Sequence, residues 1–375
     1  MKIYFVAGEA SGDNHGAALM EALRRLQPDI ELSGRGGPKM KQIAGERFLD
    51  WSHEAAVVGL WEVIRHYPYF RREFRHALEE ISALRPDVVV LIDYPGFNLR
   101  LAHALRSRSL GGKIIYYISP QVWAWNQGRI PRMAQSLDLM LCIFPFEAEL
   151  YEQSGLRTIF VGHPMIENLE AKRIETTRDP NLIGLFPGSR AREVRKLMPI
   201  LIEVMRELQA RRPELRFEIA AASAALARKI QSDLQPVRES LGGIEIVTGE
   251  AALTMQRSAV GIVASGTATL EAAFFRLPFV LVYKVATMTY LAGRMLIQVN
   301  HLGMPNVLAN REIVPEFIQR NAQPSAIADA VMNLLEDRPL RERMLADFDE
   351  VIAKLAKGGA NEAAARAILE TLRNP

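Results

Sequence analysis

One carboxylate, Asp93, stands at the carboxyl end of the apolar stretch Val88–Ile92, which predicts a buried parallel strand. A Pro-Gly turn follows, and then a helical pattern that carries Leu99 and further apolar residues. In open α/β sheets, ligands bind in the crevice outside the carboxyl ends of the strands. A carboxylate there can accept a proton from a substrate, but short polar residues at strand ends also cap turns and helices. This stretch alone leaves both roles open.

Two predicted strand-to-helix turns in the second half of the chain carry small polar residues where an anion would bind. They contain Gly188, Ser189 and Arg190 in the first turn, and Ser265, Gly266 and Thr267 in the second. Backbone N–H groups at a helix N-terminus hold phosphate oxygens, and a guanidinium adds a permanently charged bidentate partner. Helix capping is the alternative role of each turn. Two such turns in one domain predict a nucleotide diphosphate site.

Glu271 lies four residues beyond Thr267, one helical turn deeper on the same side. A carboxylate in that place can accept both hydroxyls of a ribose, and a buried helix contact is its alternative role. Neither turn contains the Walker lysine pattern, which argues against an ATPase. No Asp-x-Asp metal motif stands out at a strand end. We therefore expect Arg190 and helix dipoles, rather than a required metal ion, to neutralise the phosphates.

The first predicted strand, Ile3–Ala7, leads into the glycine-containing loop Gly8–Asp13 and then a helix from about residue 15 to residue 26. The glycines are spaced by four and do not match the dinucleotide-binding fingerprint. The loop still allows a ligand to approach the backbone closely, and the helix presents its positive N-terminus to an anion. The alternative is an ordinary turn that Ser11 or Asp13 caps.

Aromatic residues mark two further candidate surfaces. Trp123 and Trp125 lie in a Pro-containing loop after another predicted strand, which favours a binding wall. The segment Trp61–Phe74 interleaves aromatic and aliphatic residues with arginine, as in a helix at a membrane interface or along an apolar ligand groove. A core helix with one solvated face competes with that interpretation, and Val285–Leu302 is the other candidate for membrane contact.

Short apolar strands alternate with amphipathic helical patterns, and this alternation predicts an α/β fold of parallel sheets. The length of 375 residues suffices for two domains. We expect an N-terminal domain with Asp93 over residues 1–165 and a C-terminal domain with the predicted nucleotide diphosphate site over residues 166–345. The polar stretch 167–180 predicts a linker. Helices over residues 346–375 are expected to pack back on the first domain, of the same or a partner subunit.

The composition, 49% hydrophobic and 24% charged residues, indicates a globular protein. The net charge is only +3, yet eleven basic and six acidic residues lie between Trp61 and Arg132. That basic excess suits a phosphate-bearing ligand or an anionic membrane, or is simply a solvated helix face. The single cysteine, Cys142, lies in an apolar run and predicts a buried thiol in a reducing compartment. We expect neither a signal peptide nor a membrane span.

Seven motifs, in order along the chain, resemble those of the lipid-A-disaccharide synthase family. They are GEASGD (Gly8–Asp13), IDYPGFN (Ile92–Asn98), SPQVWAW (Ser119–Trp125), VGHP (Val161–Pro164), FPGSR (Phe186–Arg190), SGTATLE (Ser265–Glu271) and MPN (Met304–Asn306). The resemblance implies the GT-B fold of glycosyltransferase family 19, with two facing Rossmann-like domains and a helical C-terminal tail. The N-terminal domain, residues 1–165, would bind the acceptor and carry the catalytic base, and the C-terminal domain, residues 166–345, would bind the UDP-sugar. It also implies an inverting reaction in which UDP-2,3-diacylglucosamine donates its sugar to 2,3-diacylglucosamine 1-phosphate. The products are the β-1,6-linked lipid A disaccharide 1-phosphate and UDP, and no cofactor is required.

The resemblance also assigns roles to individual residues. Asp93 would be the general base for the acceptor 6-hydroxyl, Arg190 the diphosphate arginine and Glu271 the nucleotide-binding glutamate. Ser11 and Asp13 would line the catalytic side of the cleft. The UDP pocket would be completed by Gly188, Ser189, Ser265, Gly266, Thr267, Tyr283 and Asn306. The turn after Asp93 reads Tyr-Pro-Gly where many members have Ala-Pro-Asp, which removes a second carboxylate.

The implied setting is the cytoplasmic face of the inner membrane of a Gram-negative bacterium, in lipid A biosynthesis. Acylated glucosamine substrates are the expected partners, with peripheral membrane contact through Trp61–Phe74 and no nucleic acid. A homodimer is left open. Two alternatives remain: another UDP-sugar-dependent GT-B enzyme, such as a soluble transferase or an epimerase, and a non-catalytic protein that binds lipid or nucleotide.

Overall fold

A computed structural model of the chain describes residues 1–52, 67–237, 240–285, 299–356 and 358–373. The chain forms two compact units, one of Met1–Pro164 with Leu355–Pro375 and the other of Met165–Lys354. Each unit contains one parallel sheet whose strands are connected through helices. The predicted α/β architecture of two Rossmann-like halves is confirmed. In the described ranges, no helix is long and apolar enough to cross a membrane.

The sheet of the first unit has the strand order β3-β2-β1-β4-β5-β6-β7. Its strands are β1 (Lys2–Ala7), β2 (Glu31–Gly36), β3 (Phe48–Asp50), β4 (Val88–Ile92), β5 (Lys113–Tyr117), β6 (Leu139–Cys142) and β7 (Thr158–Phe160). The order reverses between β1 and β4, and open α/β sheets bind ligands at such a switch point. All five residues of β4 are buried, as expected of a central parallel strand. Cys142 is buried in β6, as predicted.

Among the described residues of the first unit up to residue 152, the α-helices are α1 (Ala10–Leu26), α2 (Pro38–Ala44), α3 (Tyr67–Leu84), α4 (Pro95–Ser107), α5 (Val122–Trp125), α6 (Ile130–Ser136) and α7 (Pro145–Glu152). The predicted start of α1 near residue 15 was wrong, because Gly12 and Gly16 are packing positions inside this helix. A Cβ on Gly12 would lie 3.3 Å from the Cβ of Ala7, and one on Gly16 would lie 2.4 Å from the sulfur of Met40. These glycines therefore let α1 approach β1 and α2 closely.

A buried charged cluster fixes α3 to the sheet of the first unit. Arg35 in β2 is only 1% exposed, and its guanidinium pairs with Glu73 at 2.6 Å and with Glu80 at 2.5 Å. Its Nε also donates to the hydroxyl of Tyr4 at 3.2 Å. Burial, with the nearby Glu80, raises the pKa of that hydroxyl. Removing Arg35 would take from the buried Glu73 carboxylate its buried cationic partner, which is costly.

The sheet of the second unit has the strand order β10-β9-β8-β11-β12-β13. Its strands are β8 (Asp179–Phe186), β9 (Arg216–Ala221), β10 (Ile244–Thr248), β11 (Ser258–Ala264), β12 (Phe279–Tyr283) and β13 (Glu316–Ile318). Here the order reverses between β8 and β11, which pair directly. The turns that follow these two strands are therefore neighbours at the carboxyl edge of the sheet.

The α-helices that the structure describes in the second unit are α8 (Met165–Glu170), α9 (Ala191–Arg211), α10 (Ala224–Leu234), α11 (Ala251–Arg257), α12 (Ala268–Phe274), α13 (Met304–Ala309), α14 (Pro324–Glu336) and α15 (Arg338–Leu355). The linker predicted over residues 167–180 instead includes part of α8 and the start of β8. Arg178 holds this stretch in place, because its guanidinium donates to the carbonyls of Met255, Ser258 and Phe275 at 2.5 to 2.7 Å. Burial lowers the pKa of Arg178 to about 10.

The last helix, α16 (Ala360–Arg373), packs against α1 and β5 of the first unit. Small residues on its inner face, Ala364 and Ala365, are fully buried and permit that close contact. The expected boundary at 345/346 falls inside the unbroken helix α15. The turn between α15 and α16 instead contains two glycines of positive φ, Gly358 and Gly359, at 65° and 60°.

Candidate active site

The turn after β4 holds Asp93 and Tyr94 in left-handed backbone, at φ values of 45° and 52°. This conformation costs roughly 1–2 kcal/mol for each residue that carries a side chain, so the surroundings must stabilise it. The N–H of Asp93 donates to the carbonyl of Tyr117 at 3.0 Å. The carbonyl of Asp93 accepts from the hydroxyl of Tyr116 at 2.5 Å and from the side chain of Asn98 at 2.8 Å. The backbone of the turn is thus hydrogen-bonded on both sides.

Asn98, fully buried on α4, is the central anchor of this turn. Its Nδ2 donates to the carbonyls of Val6 at 3.3 Å, Ile92 at 3.1 Å and Asp93 at 2.8 Å. One amide therefore joins β1, β4 and the turn. Sequence reasoning did not assign Asn98 a role, although a polar residue on the apolar face of a predicted helix was the available signal.

The carboxyl group of Asp93 is half-buried, and its environment favours the protonated form. Burial raises its pKa above the ordinary range, and the nearby Glu9 carboxylate raises it further, against the lowering effect of the Tyr94 N–H. A carboxylate with a raised pKa is a better proton acceptor than a fully solvated one, as long as it is ionised at the working pH. The chemistry predicted for Asp93 is therefore compatible with its surroundings.

The ring of Tyr94 lies against Gly8 at the end of β1. A Cβ on residue 8 would come within 2.4 Å of the Tyr94 ring, so that position accepts only glycine without a shift. The ring also contacts Trp51 and Phe97, with centroids 6.1 Å apart in each case. The Tyr-Pro-Gly departure therefore places an aromatic side chain between the loop after β1 and the core of the first unit.

Ser11 and Asp13, predicted to line the catalytic side, lie in the first turn of α1 and face different environments. Ser11 is exposed. Asp13 is buried, and its carboxylate accepts from the N–H groups of Lys39 at 3.1 Å and Met40 at 2.9 Å. Asp13 therefore caps α2 instead of its own helix. Both carboxylate oxygens are engaged in this cap, and the place of Asp13 on the catalytic side of the cleft stays a prediction.

Glu147 on α7 is fully buried and organises the loop after β5. Its Oε1 accepts from the hydroxyl of Ser119 at 2.5 Å and from the indole N–H of Trp123 at 2.9 Å. Burial raises the pKa of Glu147 to about 7, although these donors oppose the shift. The predicted binding wall was wrong for Trp123, which is buried. Trp125 is 41% exposed, and its ring centroid lies 5.1 Å from the Arg129 guanidinium.

The two turns predicted to hold phosphate contain the positive-φ glycines Gly188 and Gly266, at 105° and 141°. A Cβ on Gly188 would lie 2.5 Å from a carboxylate oxygen of Glu193, whereas one on Gly266 would meet nothing within 4 Å. The remaining polar residues of the turns, Ser189, Ser265 and Thr267, are exposed or half-buried. Backbone and hydroxyl groups in these turns are therefore accessible to a ligand.

Arg190 is exposed at the start of α9, and its guanidinium donates to Glu193 at 3.3 Å. Tyr283, at the end of β12, lies within the electrostatic influence of both. Burial and Glu193 raise the pKa of the Tyr283 hydroxyl, whereas Arg190 lowers it. The structure thus brings Tyr283 near Arg190 and adds Glu193, which was not predicted. In the described part of the chain, no group of three His, Cys, Asp or Glu side chains could hold a metal ion.

Glu271 lies on α12, and its backbone N–H donates a hydrogen bond to the carbonyl of Thr267 at 3.1 Å, as the one-turn spacing predicted. Its carboxyl group is half-buried, and burial raises its pKa against the lowering effect of Lys172. Within the described ranges, its carboxylate oxygens accept no hydrogen bond from a protein group. Such a carboxylate can accept hydroxyl donors from a ligand.

Asn306, predicted in the UDP pocket, is fully buried on α13. Its Nδ2 donates to the carbonyl of Val314 and to Glu316, each at 2.8 Å, and its Oδ1 accepts from Ile313 at 2.8 Å and Val314 at 2.9 Å. Glu316 also accepts from the N–H of Gly303 at 2.8 Å. The side chain of Asn306 therefore shapes this segment, and a direct contact with the nucleotide would require one of these bonds to break.

A family profile described as lipid-A-disaccharide synthetase matches residues 3–369. The lipid-A-disaccharide synthase of Geobacter sulfurreducens is 39% identical over 380 residues, covering 99% of this chain and 97% of the relative. That of Coxiella burnetii strain RSA 331 is 33% identical over 378 residues, covering 98% and 97%. The chain belongs to the lipid-A-disaccharide synthetase family. As a member, it is a glycosyltransferase of lipid A biosynthesis, so the predicted family and enzyme class are confirmed.

Solved structures with the same architecture confirm the GT-B fold of this family member. The S. aureus MnaA–UDP co-structure has a TM-score of 0.67 at 13% identity and covers 99% of this chain and 97% of its own. UDP-GlcNAc 2-epimerase from Neisseria meningitidis bound to UDP-GlcNAc has a TM-score of 0.64 at 12% identity and covers 100% of both chains. At such identities the likeness is one of fold, so it gives the epimerase alternative no support as a function.

Proposed function

We propose that this member of the family transfers a diacylglucosamine unit from UDP-2,3-diacylglucosamine to the 6-hydroxyl of 2,3-diacylglucosamine 1-phosphate. The products are the β-1,6-linked lipid A disaccharide 1-phosphate and UDP. The observation that carries the proposal is the half-buried Asp93, whose pKa is raised, at the carboxyl end of β4 and beside the switch point of the sheet. Relatives named lipid-A-disaccharide synthase, at 33 to 39% identity, support the same reaction.

In the proposed mechanism, Asp93 accepts the proton of the acceptor hydroxyl while that oxygen attacks the anomeric carbon of the donor. The bond between the anomeric carbon and the diphosphate oxygen breaks, and UDP leaves with the electron pair. One displacement of this kind inverts the anomeric centre. The hydrogen bonds of Asn98 and Tyr116 to the Asp93 carbonyl hold the base in place.

We assign the UDP part of the donor to the second unit. Arg190 would stabilise the charge that develops on the leaving diphosphate, since its guanidinium is exposed and permanently charged. The diphosphate would also contact the accessible groups of Gly188, Ser189, Ser265, Gly266 and Thr267. Glu271 would accept the ribose hydroxyls, with Tyr283 beside the diphosphate. No cofactor besides this donor takes part in the proposed reaction.

We also propose peripheral contact with the cytoplasmic face of the inner membrane, because both substrates carry acyl chains. Of the predicted contact segment Trp61–Phe74, residues 61–66 lie outside the described residues. In α3, Phe70 and Phe74 pack against the core of the first unit, whereas Arg71 and Arg72 are exposed. In this part of the segment, basic rather than aromatic side chains would therefore meet an anionic surface. Residues 286–298 of the alternative segment also lie outside the described residues, and the homodimer stays a prediction.

Turnover of UDP-2,3-diacylglucosamine with its monosaccharide phosphate acceptor, in mixed micelles, tests the proposal. Wild type should form the disaccharide, and Asp93→Asn should lose roughly 100-fold or more in kcat, the scale of a positioned base. If wild type binds UDP but makes no disaccharide, the proposed reaction is wrong. If Asp93→Asn retains the wild-type rate, the assignment of the base is wrong although the reaction stands.

The thermal stability of Asp93→Asn separates a lost base from a lost fold. Because burial raises the pKa of Asp93, the folded protein binds that proton more tightly than the unfolded chain does. Ionised Asp93 therefore lowers stability above its folded pKa, and stability returns as the pH falls through that pKa. The neutral amide should raise Tm at neutral pH while activity falls.

A further inference from the structure

The first unit contains a groove of about 610 Å³ between α4 and α6, and Arg129, which precedes α6, also lines it. It begins at Pro95 and Gly96, which follow Asp93 by two and three residues. Its volume lies within the roughly 300–1,000 Å³ that is typical of small-molecule sites. From Pro95 to His103 the groove follows α4 for about 12 Å at the rise of an α-helix.

The lining of this groove is apolar on its inner side and basic on its rim. Leu99, Met133 and Leu137 contribute apolar side chains that are buried or half-buried. Three arginines line its rim, and His103 lies beside them. The arginines are Arg100, Arg129 and Arg132. A ligand that complements both parts would carry an anionic group and an apolar chain.

The three rim arginines lack carboxylate partners in the part of the chain that the structure describes. Arg106 lies on α4, as Arg100 does, but outside the groove, and it pairs with Asp138 at 2.6 Å. Arg129 is held near the ring of Trp125, with the guanidinium 5.1 Å from its centroid. Several like charges around one groove attract an anion, and arginine recognises phosphate through bidentate hydrogen bonds.

We propose that this groove binds the acceptor, with the rim arginines holding its phosphate monoester and the apolar side taking the first part of an acyl chain. The inference rests on the proposed transfer reaction and assigns the acceptor subsite of the same catalytic centre. An anionic phospholipid of the membrane offers the same chemistry of phosphate and acyl chain. The groove includes Pro95 and Gly96, which follow the Asp93 turn directly in sequence, and this favours the acceptor because the reacting hydroxyl must reach that carboxylate.

The test variant is Arg100→Gln with Arg132→Gln, and the matched control is Arg85→Gln with Arg108→Gln. The control removes the same charge from exposed arginines of the first unit that lie outside the groove. Initial rates are measured in non-ionic detergent micelles with acceptor and donor varied separately. The test variant should raise the acceptor KM about 10- to 100-fold, the scale of one or two charge-assisted hydrogen bonds. Its donor KM and UDP affinity should stay within about twofold of wild type, as should every constant of the control.

An acceptor without the phosphate provides the second arm of the experiment. Wild type should use 2,3-diacylglucosamine with a raised KM, and the test variant should raise that KM little further, because the phosphate that the arginines hold is gone. An unchanged KM of the test variant for the phosphorylated acceptor, in an assay where wild type turns over, would overturn the proposal.

Two further measurements distinguish the acceptor from a membrane phospholipid as the ligand of the groove. They also separate a failure of the groove proposal from a failure of the proposed reaction. If the groove binds membrane headgroups, the test variant loses binding to phosphatidylglycerol vesicles while its acceptor KM in neutral micelles is unchanged, and the proposal is wrong. If wild type makes no disaccharide, equilibrium binding of the phosphorylated acceptor to both proteins still decides. Weaker binding to the test variant than to the control supports the groove, and equal binding refutes it.

Discussion

The turn after β4 in the first unit places Asp93 and Tyr94 at positive φ, whereas the turns after β8 and β11 in the second unit place Gly188 and Gly266 there. Glycine adopts such backbone at little cost, but residues with side chains are strained in it. The first unit therefore stabilises its turn through buried hydrogen bonds from Asn98. The comparison shows two ways to build a strand-end site, one with a strained residue held by its neighbours and one with glycine.

The surroundings of the turn after β4 and the turn after β11 also differ, because the first is enclosed by other groups and the second is open. Tyr94 packs among aromatic rings, and the backbone of Asp93 is hydrogen-bonded on both sides. Gly266 is exposed and has open space where a side chain would point. The first turn presents one oriented side chain, as a base requires. The second presents backbone groups, as phosphate recognition requires.

The largest expected effect is the collapse of the first turn in Asn98→Asp. The substitution replaces an amide that donates to three carbonyls with a carboxyl group of similar shape. The loss of these donors in a buried place should lower the free energy of unfolding by about 3 kcal/mol. Urea unfolding measures it, and Asn14→Asp at an exposed position of α1 is the control. Equal midpoints for both variants would contradict the anchoring role.

A smaller effect is expected from Gly266→Ala in the second unit. The new Cβ would meet no atom within 4 Å, so the cost arises from φ at 141° alone. We expect a loss of about 1–2 kcal/mol in unfolding free energy and weaker UDP binding, measured by calorimetric titration. Gly242→Ala is the matched control, since it also has open space but no positive φ. If both variants bind UDP as wild type does, the backbone of this turn does not contact the diphosphate.

The smallest expected effect is a shift of the pH profile in Glu9→Gln. The Glu9 carboxylate raises the pKa of Asp93, so its removal should lower that pKa. The base would then stay ionised to lower pH, and the acid limb of kcat/KM should move toward acid. Because Glu9 is exposed, salt should reduce the shift. Glu21, which is also exposed and lies on α1, provides the control, and Glu21→Gln should leave the profile unchanged. A move of the acid limb toward alkaline pH in Glu9→Gln would contradict the electrostatic account.

The sequence allowed the prediction of features that depend on local pattern. The apolar run of β4 and its terminal Asp93 were predicted at their observed positions, and β12 has the predicted bounds Phe279–Tyr283. The two strand-to-helix turns with Gly188 and Gly266 likewise lie where they were predicted, after β8 and β11. These features agree because burial of a central strand and glycine conformation are encoded within a few neighbouring residues.

Features that depend on partners distant in the chain could not be predicted in this way. Asp13 caps a helix that begins 25 residues later, and the buried Trp123 donates its N–H to Glu147 on another helix. The ion pairs of Arg35 likewise join β2 to α3 across a long stretch of sequence. A periodic pattern records which residues are polar, but it does not record which distant group each one meets.

The packing of α16 on α1 has a consequence for synthesis on the ribosome. The first unit consists of Met1–Pro164 and of residues from Leu355 onward, so its last helix emerges after the whole of the second unit. The hydroxyl of Tyr117 donates to Asn361 at 3.1 Å, and the N–H of His163 to the Leu355 carbonyl at 3.1 Å. Until the residues of α16 leave the exit tunnel, the face of α1 that α16 covers remains exposed. The unit whose synthesis starts first is therefore the unit that is completed last.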